Sequence, residues 1–173
     1  MSAKRFIDSN IFLYAFCDKV VSKQVIAKDI ILNGSPTISV QVINEVSNNL
    51  LKKLQFQENE IRSFIVNCYE RYSVVNITQE TFLAASEIRI KHQFSYYDSI
   101  IVASALINQC QILYTEDMQH DKLIRNSLKI INPFVYISNR WTFNRVINKI
   151  RGGRSLYLQI RNNWDRKLKH IKW

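Results

Sequence analysis

Short apolar runs alternate with longer amphipathic stretches along the first 134 residues of the chain. The runs have strand length and predict strands over 5–8, 37–40, 73–77, 111–114 and 128–131. The stretches between them repeat apolar residues at helical spacing, which predicts helices from about residue 11 and over 21–32, 42–54, 57–72, 79–92 and 95–108. Strands that alternate with helices in this way predict an α/β fold with a parallel sheet and right-handed crossovers.

The polar residues that follow the first and fourth strands are the first candidates for a site. Asp8 ends the first predicted strand, and the sequence Thr-Glu-Asp at 115–117 follows the fourth. In parallel sheets, ligands bind outside the carboxyl ends of the strands, at the point where the strand order reverses. If these two strands are neighbours, Asp8 and Asp117 face one crevice.

Asp8 also has a purely structural interpretation, as the N-cap of the first helix. Ser9 and Asn10 follow it directly and are suitable caps themselves. We therefore expect one of these two residues to cap the helix and leave the Asp8 carboxylate free for a site.

Three more acids, Glu45, Asp98 and Asp117, lie at helix or strand ends and have structural alternatives of their own. Glu45 could be a solvated residue favoured by the helix dipole, and Asp117 could serve a turn. Asp98 follows Ser95 at capping-box spacing, with Asp in place of the usual Glu or Gln. The helix behind Asp98 is apolar on nearly every face, so it is packed in the core and Asp98 lies at its entrance.

Four acids at one edge of a sheet repel one another unless a cation lies among them. The acids offer only oxygen atoms as metal ligands, and such ligands suit Mg²⁺ or Mn²⁺ and not Zn²⁺. Magnesium held by carboxylates keeps several waters and accepts phosphate oxygens, which is the arrangement for metal-assisted phosphodiester hydrolysis. His120 lies nearby in the sequence, but a histidine in a loop is more often a surface residue than a general base.

The order of these motifs resembles a PIN domain, and within that group the VapC-type ribonuclease toxins. The resemblance covers about residues 1–134 and rests on Ile-Asp-Ser-Asn at 7–10, Asn-Glu at 44–45, Tyr-Asp-Ser-Ile-Ile-Val-Ala at 97–103, Thr-Glu-Asp at 115–117 and Asn-Pro-Phe at 132–134. It implies a three-layer fold with a five-stranded parallel sheet of order 3-2-1-4-5. It also implies four catalytic acids, Asp8, Glu45, Asp98 and Asp117. Of these, Asp8, Asp98 and Asp117 are the implied Mg²⁺ ligands, and Ser9 and Thr115 are implied supporting residues.

One position departs from the family's pattern. In many relatives a glycine follows the fourth acid at the place where Asp121 stands in this chain. The departure concerns the local loop and not the acids.

The resemblance implies a Mg²⁺-dependent endoribonuclease toxin that hydrolyses RNA with a metal-activated water. It also implies a small antitoxin that occupies the acidic groove, and a homodimer. The alternatives are a housekeeping RNA-processing nuclease of the same fold and an inactive nucleic-acid-binding module. A phosphoacceptor receiver domain is disfavoured, because no second acid follows Asp8 and no acid ends the third strand at 73–77.

Positive charge is concentrated at the end of the chain. Net charge is +10, yet residues 135–173 hold ten of the 24 Lys and Arg and only one of the 14 acids. This extension is basic and amphipathic, and Arg161, Arg166 and Lys167 are its candidate RNA-binding residues. Two further interpretations stay open: the extension packs on the body or a partner through its apolar face, or it is an irregular addition to a nuclease domain of residues 1–134.

The remaining composition excludes several classes of protein. Three glycines and no Gly-rich loop near a strand end argue against a P-loop or a dinucleotide fingerprint. No apolar run approaches the roughly 18 residues of a membrane span, and the N-terminus does not resemble a signal peptide. Three cysteines in apolar surroundings indicate reduced core residues and a cytoplasmic protein.

Overall fold

The computed structural model describes residues 3–17 and 19–135. This part of the chain has six strands and six helices; a pair of helices follows each of the first three strands, and the last three strands are consecutive. The strands are β1 (Arg5–Ile7), β2 (Thr37–Ser39), β3 (Ser73–Val75), β4 (Ile112–Tyr114), β5 (Leu123–Ile124) and β6 (Leu128–Ile131). The helices are α1 (Ser9–Phe16), α2 (Val21–Leu32), α3 (Val40–Leu54), α4 (Glu58–Arg71), α5 (Gln79–His92) and α6 (Tyr96–Ile107).

The sheet order is β3-β2-β1-β4-β6-β5. The five predicted strands are β1, β2, β3, β4 and β6; they pair in parallel, and their predicted order is confirmed. The predicted strand count of five is too low, because β5 adds an antiparallel edge strand beside β6. With only two residues, β5 is too short to produce an apolar alternation that sequence reading can detect.

The register of the sheet sets the geometry of its carboxyl edge. Phe6 of β1 pairs with Thr37 of β2 and with Leu113 of β4. Two residues further along, Ser39, Asp8 and Thr115 therefore lie side by side at the carboxyl ends of the three strands. Residues two apart in a strand share a face, so these three residues lie on the same face as Thr37, Phe6 and Leu113. The backbone ladder continues past β1, since the Asp8 N–H donates to the Tyr114 carbonyl at 3.1 Å.

Helices flank the sheet because its residues are apolar on both faces. Side chains of four adjacent strands are fully buried: Phe6, Ile7, Ile38, Leu113 and Ile130. Burial of each such side chain contributes about 1.5–3 kcal/mol. Helix α6 is the most deeply packed helix among the described residues, with every residue from 99 to 105 buried, as its apolar sequence predicts.

Three further predictions concern the cysteines, membrane spans and the C-terminal extension. Cys17, Cys68 and Cys110 are free thiols, and burial raises the pKa of Cys68 to about 12. Within residues 3–17 and 19–135, no helix is both long and apolar enough to cross a membrane. The predicted extension of residues 135–173, with Arg161, Arg166 and Lys167, lies outside the described residues apart from its first residue, so the domain boundary at 134 stays a prediction.

Candidate functional site

Asp8 lies at the carboxyl edge of β1 and is 4 % exposed. One carboxylate oxygen accepts from the Ser9 N–H at 2.7 Å. The other accepts from the Thr115 hydroxyl at 2.8 Å and from the Asn10 amide at 3.2 Å. Asp8 is thus a buried acid whose two oxygens already have fixed donors.

Burial raises the pKa of Asp8 to about 7, because a charged carboxylate is poorly solvated there. The hydrogen bonds from Thr115 and Ser9 oppose this rise, whereas the negative charges of Glu45 and Asp117 add to it. Glu45 and Asp117 therefore both lie close enough to Asp8 to disfavour its charged form.

The prediction that Ser9 or Asn10 caps α1 is wrong. Asp8 is the N-cap, with an extended backbone at φ −83° and ψ 161°. Ser9 is already helical and buried, and its hydroxyl lies 3.4 Å from the Asp8 carboxylate. Capping and a site role nevertheless coexist, because the cap occupies Oδ1 and leaves Oδ2 facing Thr115 and Asn10.

Asn10 is a site residue that the sequence reasoning missed. Its amide nitrogen lies 2.9 Å from both Thr115 Oγ1 and Asp117 Oδ2, besides its contact with Asp8. Its amide oxygen accepts from the Glu116 N–H at 3.3 Å. Asn10 therefore ties the start of α1 to the segment that follows β4. Its position two residues after Asp8, on the first turn of α1, was the available signal.

The two acids after β4 diverge, as alternation along an extended chain predicts. Asp117 is exposed and faces Asn10, and its N–H donates to Thr115 Oγ1 at 3.2 Å. Glu116 turns to the other side, where it pairs with Lys23 of α2. Of these two acids, Asp117 is therefore the one that is linked to Asp8, through Asn10.

Glu45 lies on the second turn of α3, is exposed, and contributes its charge to the pKa of Asp8. It reaches the site because α3 begins directly after β2, the neighbour of β1. Position in the fold, more than local sequence, brings Glu45 to this edge.

Asp98 is the predicted site residue that the structure does not bring into contact with the others. It lies on the first turn of α6, and its N–H donates to the Ser95 hydroxyl at 3.1 Å. Among the described residues, no hydrogen bond or charge interaction joins Asp98 to the other three acids. The helix-capping interpretation therefore explains Ser95, which is the N-cap of α6, but assigns no partner to the Asp98 carboxylate.

The loop after Asp117 explains the departure at Asp121. Asp121 has φ +64°, a left-handed conformation that glycine adopts without cost. Its side chain pairs with Lys129 at 2.8 Å, and its N–H donates to the Ile130 carbonyl at 2.9 Å. His120 accepts the Asn132 N–H at 3.1 Å through Nδ1, so it ties this loop to the end of β6.

The donor set fits a hard divalent cation. Asp8, Glu45 and Asp117 offer only oxygens, and the pKa of Asp8 reports mutual repulsion that a cation would relieve. Level with Asp8, the buried Ser39 hydroxyl has no hydrogen-bond partner within the described part of the chain. Within residues 3–17 and 19–135, no group of three or more Asp, Glu, His or Cys side chains is arranged to hold a metal ion. Magnesium suits this open arrangement, because it binds through one or two carboxylates and fills its shell with water and phosphate oxygens.

Comparison with known proteins gives a family and a set of structural neighbours. A sequence model of the PIN domain matches residues 5–126. No curated protein matches the chain in sequence.

Solved structures with the same fold come from several bacteria. A toxin–antitoxin complex from Klebsiella pneumoniae superposes with a TM-score of 0.57 at 20 % identity, over 76 % of this chain and 98 % of that one. VapC20 from Mycobacterium tuberculosis, a toxin that cleaves the sarcin–ricin loop, has a TM-score of 0.56 at 16 % identity, over 66 % of this chain and 90 % of that one. DNA-bound VapBC from Salmonella typhimurium has a TM-score of 0.56 at 17 % identity, over 76 % and 99 %. At these identities the likeness establishes the fold.

Proposed function

This chain belongs to the PIN domain family, and from that membership we propose that it is a Mg²⁺-dependent endoribonuclease, the toxin of a bacterial toxin–antitoxin pair. The observation that carries the proposal is the acidic edge of the sheet. There Asp8 is buried, its pKa is raised to about 7, and Glu45 and Asp117 contribute to that rise. Such a cluster is costly for a metal-free protein and suits a site that binds a cation.

The structural neighbours support the toxin role. They include a protein described as a sarcin–ricin loop cleaving toxin and several toxin–antitoxin complexes. By analogy, we propose that an antitoxin is the protein partner, that RNA is the substrate and that the toxin forms a homodimer in the cytoplasm.

The residues have separate tasks in the proposed reaction. Asp8, Asp98 and Asp117 would hold Mg²⁺ or Mn²⁺. Hydrogen bonds from Asn10 and Thr115 fix the Asp8 carboxylate, and Asn10 also holds that of Asp117. A bound divalent ion would offset the phosphate charge and acidify the attacking water. Glu45, whose carboxylate is exposed to solvent, would accept the proton of that water at a carboxylate oxygen.

An inactive RNA-binding PIN module is the second candidate, and one observation favours it. Asp98, a predicted ligand, is not among the charges that raise the pKa of Asp8, whereas Glu45 and Asp117 are. Calorimetric titration with Mg²⁺ or Mn²⁺ separates the two candidates. A nuclease gives binding heat that Asp8→Asn abolishes, and an inactive module gives none. A housekeeping nuclease without an antitoxin would be recognised from the neighbouring genes.

The proposed function is tested by cleavage of a structured RNA with exposed single-stranded loops, in Mg²⁺. Asp98→Asn keeps the size of the side chain and removes its charge, so we expect a loss of at least 100-fold in rate. Asp29→Asn on α2 is the matched control, because Asp29 is an exposed acid outside the motifs of the site. Equal rates for Asp98→Asn and the wild type would refute the assignment of Asp98.

A further inference from the structure

A basic aromatic surface covers the end of α5 and the start of α6. Two exposed tyrosines form its centre: Tyr96 is 51 % exposed and Tyr97 is 66 % exposed. Their rings meet edge to face, with centroids 5.4 Å apart at 86°. The Arg89 guanidinium lies 5.3 Å from the centre of the Tyr96 ring.

A second aromatic pair extends this surface and adds more positive charge. His92 stacks on Phe94 with centroids 5.6 Å apart at 26°, and the Lys122 ammonium lies 4.5 Å from the Phe94 ring centre. Burial lowers the pKa of His92, and the positive charges of Lys122, Lys91 and Arg125 lower it further. Arg125 also pairs with Glu87 at 2.8 Å. Several cations therefore crowd this end of α5.

The surface adjoins Asp98, one of the candidate acids. Tyr97 directly precedes Asp98 on the first turn of α6. Lys122 lies on the segment that leads from Asp117 to β5, and its contact with Phe94 joins that segment to the α5–α6 connection. A strand of RNA lying on Tyr97 would therefore pass beside Asp98.

We propose that Arg89, His92, Phe94, Tyr96, Tyr97 and Lys122 form a subsite for single-stranded RNA next to the cleavage site. The proposal rests on the nuclease function proposed above. The exposed rings of Tyr96 and Tyr97 would stack on unpaired bases, Phe94 packs against the core and positions His92 and Lys122, and Lys and Arg neutralise the phosphates. Lys91 and Lys122 favour RNA over a protein partner, because lysine is depleted at protein interfaces and neutralises phosphates.

The test measures binding of a labelled single-stranded RNA of about 12 nucleotides by the full chain. Fluorescence anisotropy is recorded in chelator at several salt concentrations, and a gel confirms that the probe stays intact. The variants are Tyr97→Ala, Tyr97→Phe and Lys122→Ala. Tyr69→Ala on α4 is the aromatic control, because Tyr69 is 59 % exposed. Lys53→Ala in the last turn of α3 is the charge control.

We expect Tyr97→Ala to raise Kd about tenfold and Tyr97→Phe to bind like the wild type, because stacking needs the ring and not the hydroxyl. Lys122→Ala should reduce the slope of log K against log salt by about 0.7, which corresponds to one phosphate contact on a single strand. Both controls should leave Kd and slope unchanged. A duplex RNA probe should be insensitive to Tyr97→Ala, because its bases are paired.

Equal Kd values for Tyr97→Ala and Tyr69→Ala would overturn the proposal. So would a loss of self-association in Tyr97→Ala, measured by light scattering, without an effect on RNA binding, because the surface would then be a protein interface. The nuclease function fails separately. If the wild type does not cut RNA in Mg²⁺ but Tyr97→Ala still weakens RNA binding, the proposed RNA subsite is supported and the proposed nuclease activity is refuted.

Discussion

The Thr115 hydroxyl donates a 2.8 Å hydrogen bond to Asp8 across 107 residues of sequence. The bond exists because β1 and β4 are neighbours in register, with Ile7 opposite Tyr114. It lowers the pKa of Asp8 against a larger rise from burial. Neighbouring residues thus orient the Asp8 carboxyl group. In the metal-free protein, ionisation of that group lowers the free energy of unfolding.

This cost predicts how stability depends on pH in the absence of metal. Burial raises the pKa of Asp8 from its ordinary value of 3.8 to about 7 in the folded protein. The resulting stabilisation is fully present below pH 3.8 and is lost as pH rises through about 7. Across that window the loss is about 1.4 kcal/mol per pH unit, and about 4 kcal/mol in all.

The measurement compares the free energy of unfolding of wild type and Asp8→Asn in chelator between pH 5 and 8. The amide cannot ionise, so we expect the variant to gain stability relative to the wild type up to about pH 7 and then to level off. Asp29→Asn is the control and should show no such trend. A difference between wild type and Asp8→Asn that is constant over this range would contradict the raised pKa.

Asn10 is predicted to contribute both to the stability of the fold and to metal affinity. Asn10→Ala removes the donor shared by Asp8, Thr115 and Asp117. We expect a loss of about 1–3 kcal/mol in unfolding free energy. Loss of a group that orients metal ligands should also lower Mn²⁺ affinity about 10- to 100-fold. Asn44→Ala, at an exposed position on α3, is the control for both measurements. Wild-type Mn²⁺ affinity in Asn10→Ala would show that Asn10 does not orient the ligands.

The left-handed backbone at Asp121 gives a prediction about stability alone. At φ +64° a Cβ atom is strained, so Asp121→Gly should melt at a higher temperature than Asp121→Ala, by about 4 °C. Lys129→Ala removes the ion pair without changing the backbone, and we expect it to melt close to the wild type. Thermal unfolding followed by circular dichroism gives all the values. Equal melting temperatures for the Gly and Ala variants would remove the backbone explanation.

Much of the fold could be read from the sequence because its signals are local. Each parallel strand is a short apolar run, and Asp8 stands out because it ends one of them. The sheet order came from the resemblance and not from the residues. Strand β5 was missed because two residues carry no periodicity, and it exists only through pairing with β6.

The site was less predictable, since its contacts join residues far apart in sequence. Asn10 acquires its role from Asp117 and Thr115, more than 100 residues away. The capping role of Asp8 depended on which residue first becomes helical, and three consecutive polar residues do not decide that. Glu45 joins the site only because α3 follows the strand next to β1.

The most direct test of the acidic site is the rate at which purified Asp8→Asn cleaves RNA in saturating Mg²⁺, beside the wild type. The account predicts that the wild type cuts RNA and stops when chelator is added. We expect Asp8→Asn to cut at least 100-fold more slowly. Cleavage by Asp8→Asn at the wild-type rate would contradict the account.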